Sequence, residues 1–325
     1  GKMRLSISGW YHAAAPPVGA QDLASLNQLQ TRQDEDAMVF LPLSPPPSPS
    51  AEIYPLLAKW VNPTYLKAGA MEQILTRFQE DGSVLLHGFL LPELAQRAAT
   101  LLRGQDQVDG VGHGVKPAHD VGYVEGTWEP VGPPHKQRYM RLVDGGRAAA
   151  AAAAKKVSDE GKDSSSAKVA AFLTSLRDEL FGSAAFAQYL ARLTGVEPTA
   201  VSTEARRFRP GLDYTLAHYG ILTKDPRLDA SLSFVDDGRK GRKTAWDSGD
   251  VGGFGCYIKA EEGNDGAEAA ESYRRQAHDQ EEEEDVLSVF AAQNALSLVL
   301  RQTQAMRFVK YVSAPAPGSR WDVIS

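Results

Sequence analysis

The chain has 325 residues, 42% of them hydrophobic and 23% charged, and its 35 Lys and Arg against 41 Asp and Glu give a formal net charge of −6. That length accommodates about two domains, and the mild acidity argues against a general nucleic-acid binder while leaving room for a basic protein partner. A single cysteine, Cys256, excludes an internal disulfide and fits a reducing compartment, and no stretch approaches the ~20 apolar residues of a membrane-spanning helix, so a cytoplasmic and nuclear protein is expected.

The first residues alternate Leu5 and Ile7 with Ser6 and Ser8, a period of two that reads as a strand rather than a signal peptide. Such a strand needs sheet neighbours, and none follow nearby. Residues 15–50 instead read as a Pro/Ser-rich linker ending in Ser44-Pro45-Pro46-Pro47-Ser48-Pro49-Ser50. The orphaned strand, residues 1–14, is therefore expected to be the end of an upstream domain missing from this chain.

Organised sequence resumes at about residue 51. Met71, Ile74, Leu75 and Phe78 fall at helical spacing, Ser83 to His87 reads as a short strand, and Pro92-Glu93 opens a second helix carrying Leu94, Ala98, Leu101 and Leu102. Gln137 to Val143 is a further strand candidate. Residues 144–166, with Gly145-Gly146, seven alanines from Ala148 to Ala154 and a Lys/Asp/Ser tract, offer no amphipathic face and read as a low-complexity insertion. Helices around Val169 to Phe181 and Ala184 to Leu193 follow.

From about Ala200 the pattern changes to short strands separated by Gly, Pro and Asp: 201–208, 214–218, 231–235, 253–259, 287–290, 296–300, 308–312 and 321–324. Repeated short strands of this kind indicate a sandwich or jelly roll, with the preceding helices packed outside one sheet. The acidic stretch 261–285, ending Glu281-Glu282-Glu283-Glu284-Asp285, reads as a solvated insertion between strands.

Several segments together carry a family likeness: Pro63-Thr64-Tyr65-Leu66, His135 to Tyr139, Arg206-Arg207-Phe208-Arg209-Pro210-Gly211-Leu212-Asp213-Tyr214-Thr215-Leu216, Gly252-Gly253-Phe254 and Arg307 to Val312. Residues 51–325 resemble the C-terminal domain of the 2-oxoglutarate and Fe(II)-dependent prolyl hydroxylases that act on a small-subunit ribosomal protein. Arg4 to His12 is similar to the last core strand of that family's catalytic domain, where Arg4 and Ser6 would hold the 2-oxoglutarate carboxylate in the intact protein. The resemblance implies an α+β fold with flanking N-terminal helices, a double-stranded β-helix that is a degenerate copy of an oxygenase. Fe(II) and 2-oxoglutarate would then belong to the intact parent protein and not to this chain.

The residues bear on that expectation independently. An iron oxygenase of this class needs two histidines and a carboxylate on one face of the metal, written as H-x-D/E plus a distant His. None of the seven histidines has an acidic residue two positions on. His218 occupies the place of the first ligand, but Gly220 stands where the carboxylate would, and Lys310 replaces the distal His; an ordinary lysine is protonated at pH 7. Arg320 matches the position of a 2-oxoglutarate-binding arginine, yet Asp322 stands where a hydroxyl would and opposes an anionic ligand. No catalytic or metal-binding residue is assigned, and this chain alone is expected to be inactive.

Other features admit two readings each. Arg239, Lys240, Arg242 and Lys243 crowd into a five-residue loop that is either a solvated hairpin or a partner contact, and the acidic stretch is either a plain insertion or a lure for a basic ribosomal protein. His119-Asp120 reads as an exposed loop pair, Gly252-Gly253-Phe254-Gly255 as a strand bend or close packing, and Cys256 as a buried small hydrophobe. Trp60, Trp128 and Trp246 are core plugs or recognition anchors. The expected role is structural support of the catalytic domain plus substrate or partner binding. The alternatives are a module that promotes turnover of a transcription factor and a second domain with an unconventional metal site at His218.

Overall fold

The computed structural model describes residues 40–43, 53–112, 114–143, 161–217, 225–236, 245–259 and 286–325. Arg4, Ser6, His218, Gly220, the 239–243 cations, the alanine run and the acidic stretch lie outside the described residues.

Strand β1 (Leu41–Pro42) lies within the stretch read as linker and pairs antiparallel with β5 (Ala200–Val201). Helices α1 (Ile53–Leu57) and α2 (Ala68–Asp81) bracket a 3-10 turn over Pro63–Leu66, whose first turn is capped by the Asn62 side chain accepting from Thr64 N at 3.0 Å. Strand β2 (Ser83–His87) leads into α3 (Pro92–Val108), with Pro92 at the first helical position and Glu93 in the first turn. Strands β3 (Trp128–Val131) and β4 (Gln137–Leu142) form an antiparallel pair.

Helix α4 spans Gly161–Ser175 and runs on as a wider turn over Leu176–Phe181, where Gly182 N donates to Arg177 O, five residues back, at 2.8 Å. The helix thus begins within the stretch read as a low-complexity insertion. Its polar opening carries no apolar period, but Ser166, Val169 and Ala170 are buried against the core, and packing rather than periodicity recruits that turn. Helix α5 (Ala184–Thr194) starts at Ser183, whose Oγ accepts from Phe186 N at 3.1 Å.

The remaining strands are β6 (Glu204–Phe208), β7 (Tyr214–Thr215), β8 (Arg227–Phe234), β9 (Gly255–Lys259), β10 (Val286–Val289), β11 (Ala295–Arg301), β12 (Ala305–Val309) and β13 (Arg320–Ile324). The larger sheet runs β2-β11-β8-β13-β6-β4-β3 with β7 paired to β4, and the smaller runs β10-β9-β12. Every pairing is antiparallel. The protein is α+β, a jelly roll with helices on one sheet, as the spacing of short strands predicted.

Alternation along the central strands separates two faces of the larger sheet. Ala230, Leu232 and Phe234 of β8, Leu296 and Leu298 of β11, and Trp321 and Val323 of β13 join the main core with Phe172, Leu176 and Phe181. Trp128 is in the same core, edge-on to Trp321 at 5.5 Å, while Trp246 is buried in a second cluster with Phe208, Val309 and Val312. Trp60 also packs in the main core, so all three tryptophans are core plugs rather than surface anchors.

The turn between β10 and β11 is tied to the segment after β2. Asn294 has φ 53°, a conformation that Asn tolerates better than most residues. Its buried Oδ1 accepts from Leu90 N at 2.9 Å and its Nδ2 donates to Leu90 O at 3.3 Å. Asn294→Ala strands the buried Leu90 amide and is expected to cost about 2 kcal/mol, read as a lower urea midpoint with an unchanged m-value.

Candidate functional site

The face of the larger sheet opposite the helices is where an oxygenase of this fold would place its chemistry, and here it is crowded with paired charges. Arg206 of β6 lies directly across from Asp322 of β13 in the strand register. Its Nε and Nη2 donate to Asp322 Oδ1 and Oδ2 at 2.8 and 2.9 Å, a bidentate pair with both side chains buried. Arg320, two residues along the same strand and therefore on the same face, donates from Nη2 to Asp322 Oδ2 at 2.9 Å and from Nη1 to Gly253 O at 2.5 Å. Phe208 lies beneath both guanidinium groups, 5.1 Å from that of Arg206 and 5.8 Å from that of Arg320.

The electrostatics follow from burial. Burial alone would push the Asp322 carboxyl up, but the charges of Arg206 and Arg320, with the bonds from Arg206, overcome it and hold Asp322 below the usual carboxylate range. Glu204, two residues before Arg206, goes the other way: burial raises its pKa more than Arg206 and Arg141 lower it. It accepts from the Tyr139 hydroxyl at 3.1 Å, and burial in turn raises that phenol. Further along the face, Asp229 of β8 meets Arg301 Nε of β11 at 3.1 Å and Arg307 Nη1 of β12 at 3.6 Å. Among the described residues Arg320 Nε and the buried Ser231 hydroxyl have no hydrogen-bond partner, and the Asp229–Arg301 contact at 3.1 Å is an ion pair without an aligned Nε–Oδ2 hydrogen bond, so the network is not fully satisfied.

Arg320 is thus held by a carboxylate of its own strand and by a backbone carbonyl from the loop before β9. The expectation that Asp322 opposes an anionic ligand is refined by this geometry: Asp322 is itself neutralised by two guanidinium groups and occupies the fork that a ligand carboxylate would need. Lys310, directly after β12, is fixed through its backbone, donating to Phe254 O at 2.9 Å and accepting from Gly253 N at 3.1 Å. Among the described residues no three His, Cys, Asp or Glu side chains converge on a point where a metal ion would sit. The Arg320 fork, filled by Asp322, does not fit a bound 2-oxoglutarate carboxylate; His218 and Gly220 lie outside the described residues. A crevice between α3 and the end of β8, lined by Leu102, Asp106, Phe234, Gln293 and Trp321, has a volume of about 20 Å³, room for one water and not for a cofactor.

The motif that carried the resemblance has a physical role. Arg207 donates to Asp106 at 2.7 Å and to Asp109 at 2.5 Å, and its guanidinium lies 4.4 Å from the Trp321 ring centre. Arg209 and Asp213 form a buried pair at 2.7 Å, and Arg209 Nη1 also donates to the carbonyls of His119 and Val121. The three arginines of the string therefore fasten different parts: Arg206 joins β6 to β13, Arg207 joins β6 to the end of α3, and Arg209 ties the segment after β6 to the 119–121 turn. Three arginines within four residues, at the end of a strand, and the Arg320-x-Asp322 alternation were the available signals. The partners Asp106, Asp109 and Asp322 lie about a hundred residues away and are set by register.

The other sequence-selected positions are placed plainly. His119 and Asp120 are exposed, and the turn contributes its backbone rather than the imidazole. Cys256 is buried, and burial pushes its thiol up to about 11, which keeps it protonated and inert at pH 7. Gly252 and Gly253 have φ 69° and 68° where the loop packs on Tyr311 and Trp246, so this glycine run is close packing and not a phosphate cradle.

Residues 52–325 match the family described as oxoglutarate and iron-dependent oxygenase degradation C-term. A prolyl 3,4-dihydroxylase OGFOD1 from Ostreococcus tauri is 33% identical over 327 residues, covering 99% of this chain and 58% of the relative. A prolyl 3-hydroxylase OGFOD1 from Xenopus laevis is 24% identical over 351 residues, covering 96% of this chain and 51% of that protein. The chain spans little more than half the length of these curated relatives. A prolyl hydroxylase from Trichoplax adhaerens, solved with a hypoxia inducible factor peptide, is 11% identical with a TM-score of 0.38, covering 78% of this chain and 86% of its own. Matched over residues 52–325, the chain belongs to the family described as oxoglutarate and iron-dependent oxygenase degradation C-term.

Proposed function

We propose that this chain supplies the noncatalytic C-terminal domain of a 2-oxoglutarate and Fe(II)-dependent prolyl hydroxylase whose substrate is a ribosomal protein, in the cytoplasm and nucleus, linking it to translation. The domain supports the catalytic part of the whole protein and presents a surface to substrate or partner proteins; iron and 2-oxoglutarate belong to that catalytic part. The observation that carries this reading is the Arg206–Asp322–Arg320 network, which fills the fork an oxygenase keeps open for its co-substrate. Lys310 and Gly220, in place of metal-ligating side chains, support it from the sequence. A second reading, a module that promotes turnover of a transcription factor, is favoured by the word degradation in the description of the matched family.

The test is direct. The chain, supplied with Fe(II), ascorbate and 2-oxoglutarate, is expected to form no succinate above a protein-free control, measured by proton NMR; succinate formation proportional to chain concentration overturns the noncatalytic assignment. For the substrate, mass spectrometry of ribosomal proteins from cells lacking the gene is expected to show loss of a hydroxyproline, and unchanged hydroxylation contradicts it.

A further inference from the structure

Strand β5 belongs to neither of the two sheets, and among the described residues its only strand partner is β1, from the stretch read as linker. The register sets Leu41 opposite Val201 and Pro42 opposite Ala200, and Leu43 N donates to Thr199 O at 3.0 Å. Opposed residues in an antiparallel pair alternate between those that exchange hydrogen bonds and those that do not. Leu41 and Leu43 therefore lie at bonded positions, with Pro42 at the unbonded position between them. The proline removes no ladder bond, and its fixed φ favours the extended backbone that pairing needs.

Successive side chains of the segment sort to two faces. Phe40 shares a face with Pro42, and the Arg227 guanidinium, from the first residue of β8, lies 4.6 Å from its ring centre. Phe40 and Leu41 are 40% and 64% exposed, so the segment is held by backbone bonds and one ring contact rather than by the core. A two-stranded pair with so little apolar cover is marginal in water and opens far more readily than the central sheet.

We propose that the β5 edge, with Arg227 beside it, is a strand-addition site for an extended peptide reading aromatic, apolar, proline, apolar, and that Phe40-Leu41-Pro42-Leu43 is its exchangeable intramolecular occupant. Backbone bonds hold any extended segment; the guanidinium-to-ring contact and the place for a proline at the unbonded position select this one. Residues 44–52 connect Leu43 to α1, and a connector that short presents the segment at an effective concentration of about 1 mM. A free peptide therefore competes poorly until the clasp opens. The chain before Phe40 consequently leaves the domain at β5 and not at α1. This goes beyond the proposed function and is independent of whether the domain is catalytic.

The whole chain carrying Leu41→Pro tests this, because a second proline takes away the amide at a bonded position and empties the edge. Hydrogen-exchange mass spectrometry is expected to show segment 199–201 exchanging at least tenfold faster than in wild type, with the melting temperature unchanged. A labelled peptide of residues 38–45, followed by fluorescence anisotropy, should bind Leu41→Pro at least tenfold more tightly than wild type, and severalfold more weakly once Arg227→Ala is added. If Leu41→Pro lowers the melting temperature, Phe40→Ala, which keeps every backbone bond, replaces it and should raise peptide binding severalfold. Equal exchange in wild type and variant, equal peptide binding by both, binding indifferent to Arg227→Ala, or a wild-type dimer that Leu41→Pro dissociates would each overturn the proposal. Succinate formation by the chain would refute the noncatalytic reading without touching this result, so the two failures are distinguishable.

Discussion

Replacing Asp322 by Asn is expected to cost about 3–5 kcal/mol, because it leaves Arg206 and Arg320 buried without the carboxylate that both engage. The loss appears as a lower denaturant midpoint. The pH dependence has a definite sign. Asp322 is held below its unfolded value of about 3.9, so its contribution is complete above that pH and is lost as pH falls through the folded pKa. Below about pH 4 the wild type should therefore lose stability more steeply than Asp322→Asn, and the two curves should converge. Removing the whole network is a different experiment: the triple replacement Arg206→Met, Asp322→Leu, Arg320→Met should recover most of the lost stability, since buried ion pairs exchanged together for apolar groups of similar volume are often neutral or better. A triple variant as unstable as the single one would show that the cost arises elsewhere.

Gly252→Ala carries the second large effect. At φ 69° an L side chain is strained, and a Cβ built there would lie 2.0 Å from the backbone oxygen of Tyr311. A flexible side chain could swing aside, but a carbonyl that follows β12 cannot move alone: Gly252 is bridged to Val312, and the next residue, Gly253, donates to Lys310 O and accepts from Arg320. Displacing the loop therefore breaks the Arg320 contact as well as the bridge. The expected cost is about 3 kcal/mol or more, among the larger single-residue effects, read as a fall in melting temperature. Gly69→Ala in α2, where an added Cβ meets nothing within 4 Å, is the control and should be neutral or slightly stabilising.

These two sites show what the sequence discloses and what it conceals. Strands β8, β11 and β13 were legible because their residues alternate, and that alternation sorts Trp321 and Val323 to the helices from Arg320 and Asp322 to the interior. Strand β3 was not legible: Trp128-Glu129-Pro130-Val131 is short and holds a proline, which is tolerated at the edge of the sheet where it lies. The first turn of α4 was missed because Ser164-Ser165-Ser166 has no apolar period, although Ser166 is buried by its neighbours. The same limit governs the site. That Arg320 and Asp322 share a face follows from a spacing of two, whereas the pairing of Asp322 with Arg206 requires the register between β13 and β6, and that of Arg207 with Asp106 requires the placement of α3. Long-range register is a property of the packed sheets and is not written in any local window.

The claim on which the functional reading turns is that the barrel interior is held by its own ion pairs and takes no iron. The most direct measurement is Fe(II) titration of the chelator-treated chain under anaerobic conditions, followed by metal analysis after desalting, with His218→Ala in parallel. The expected result is less than one-tenth of an equivalent of iron retained by either protein. One equivalent retained by the wild type and lost in His218→Ala would contradict it.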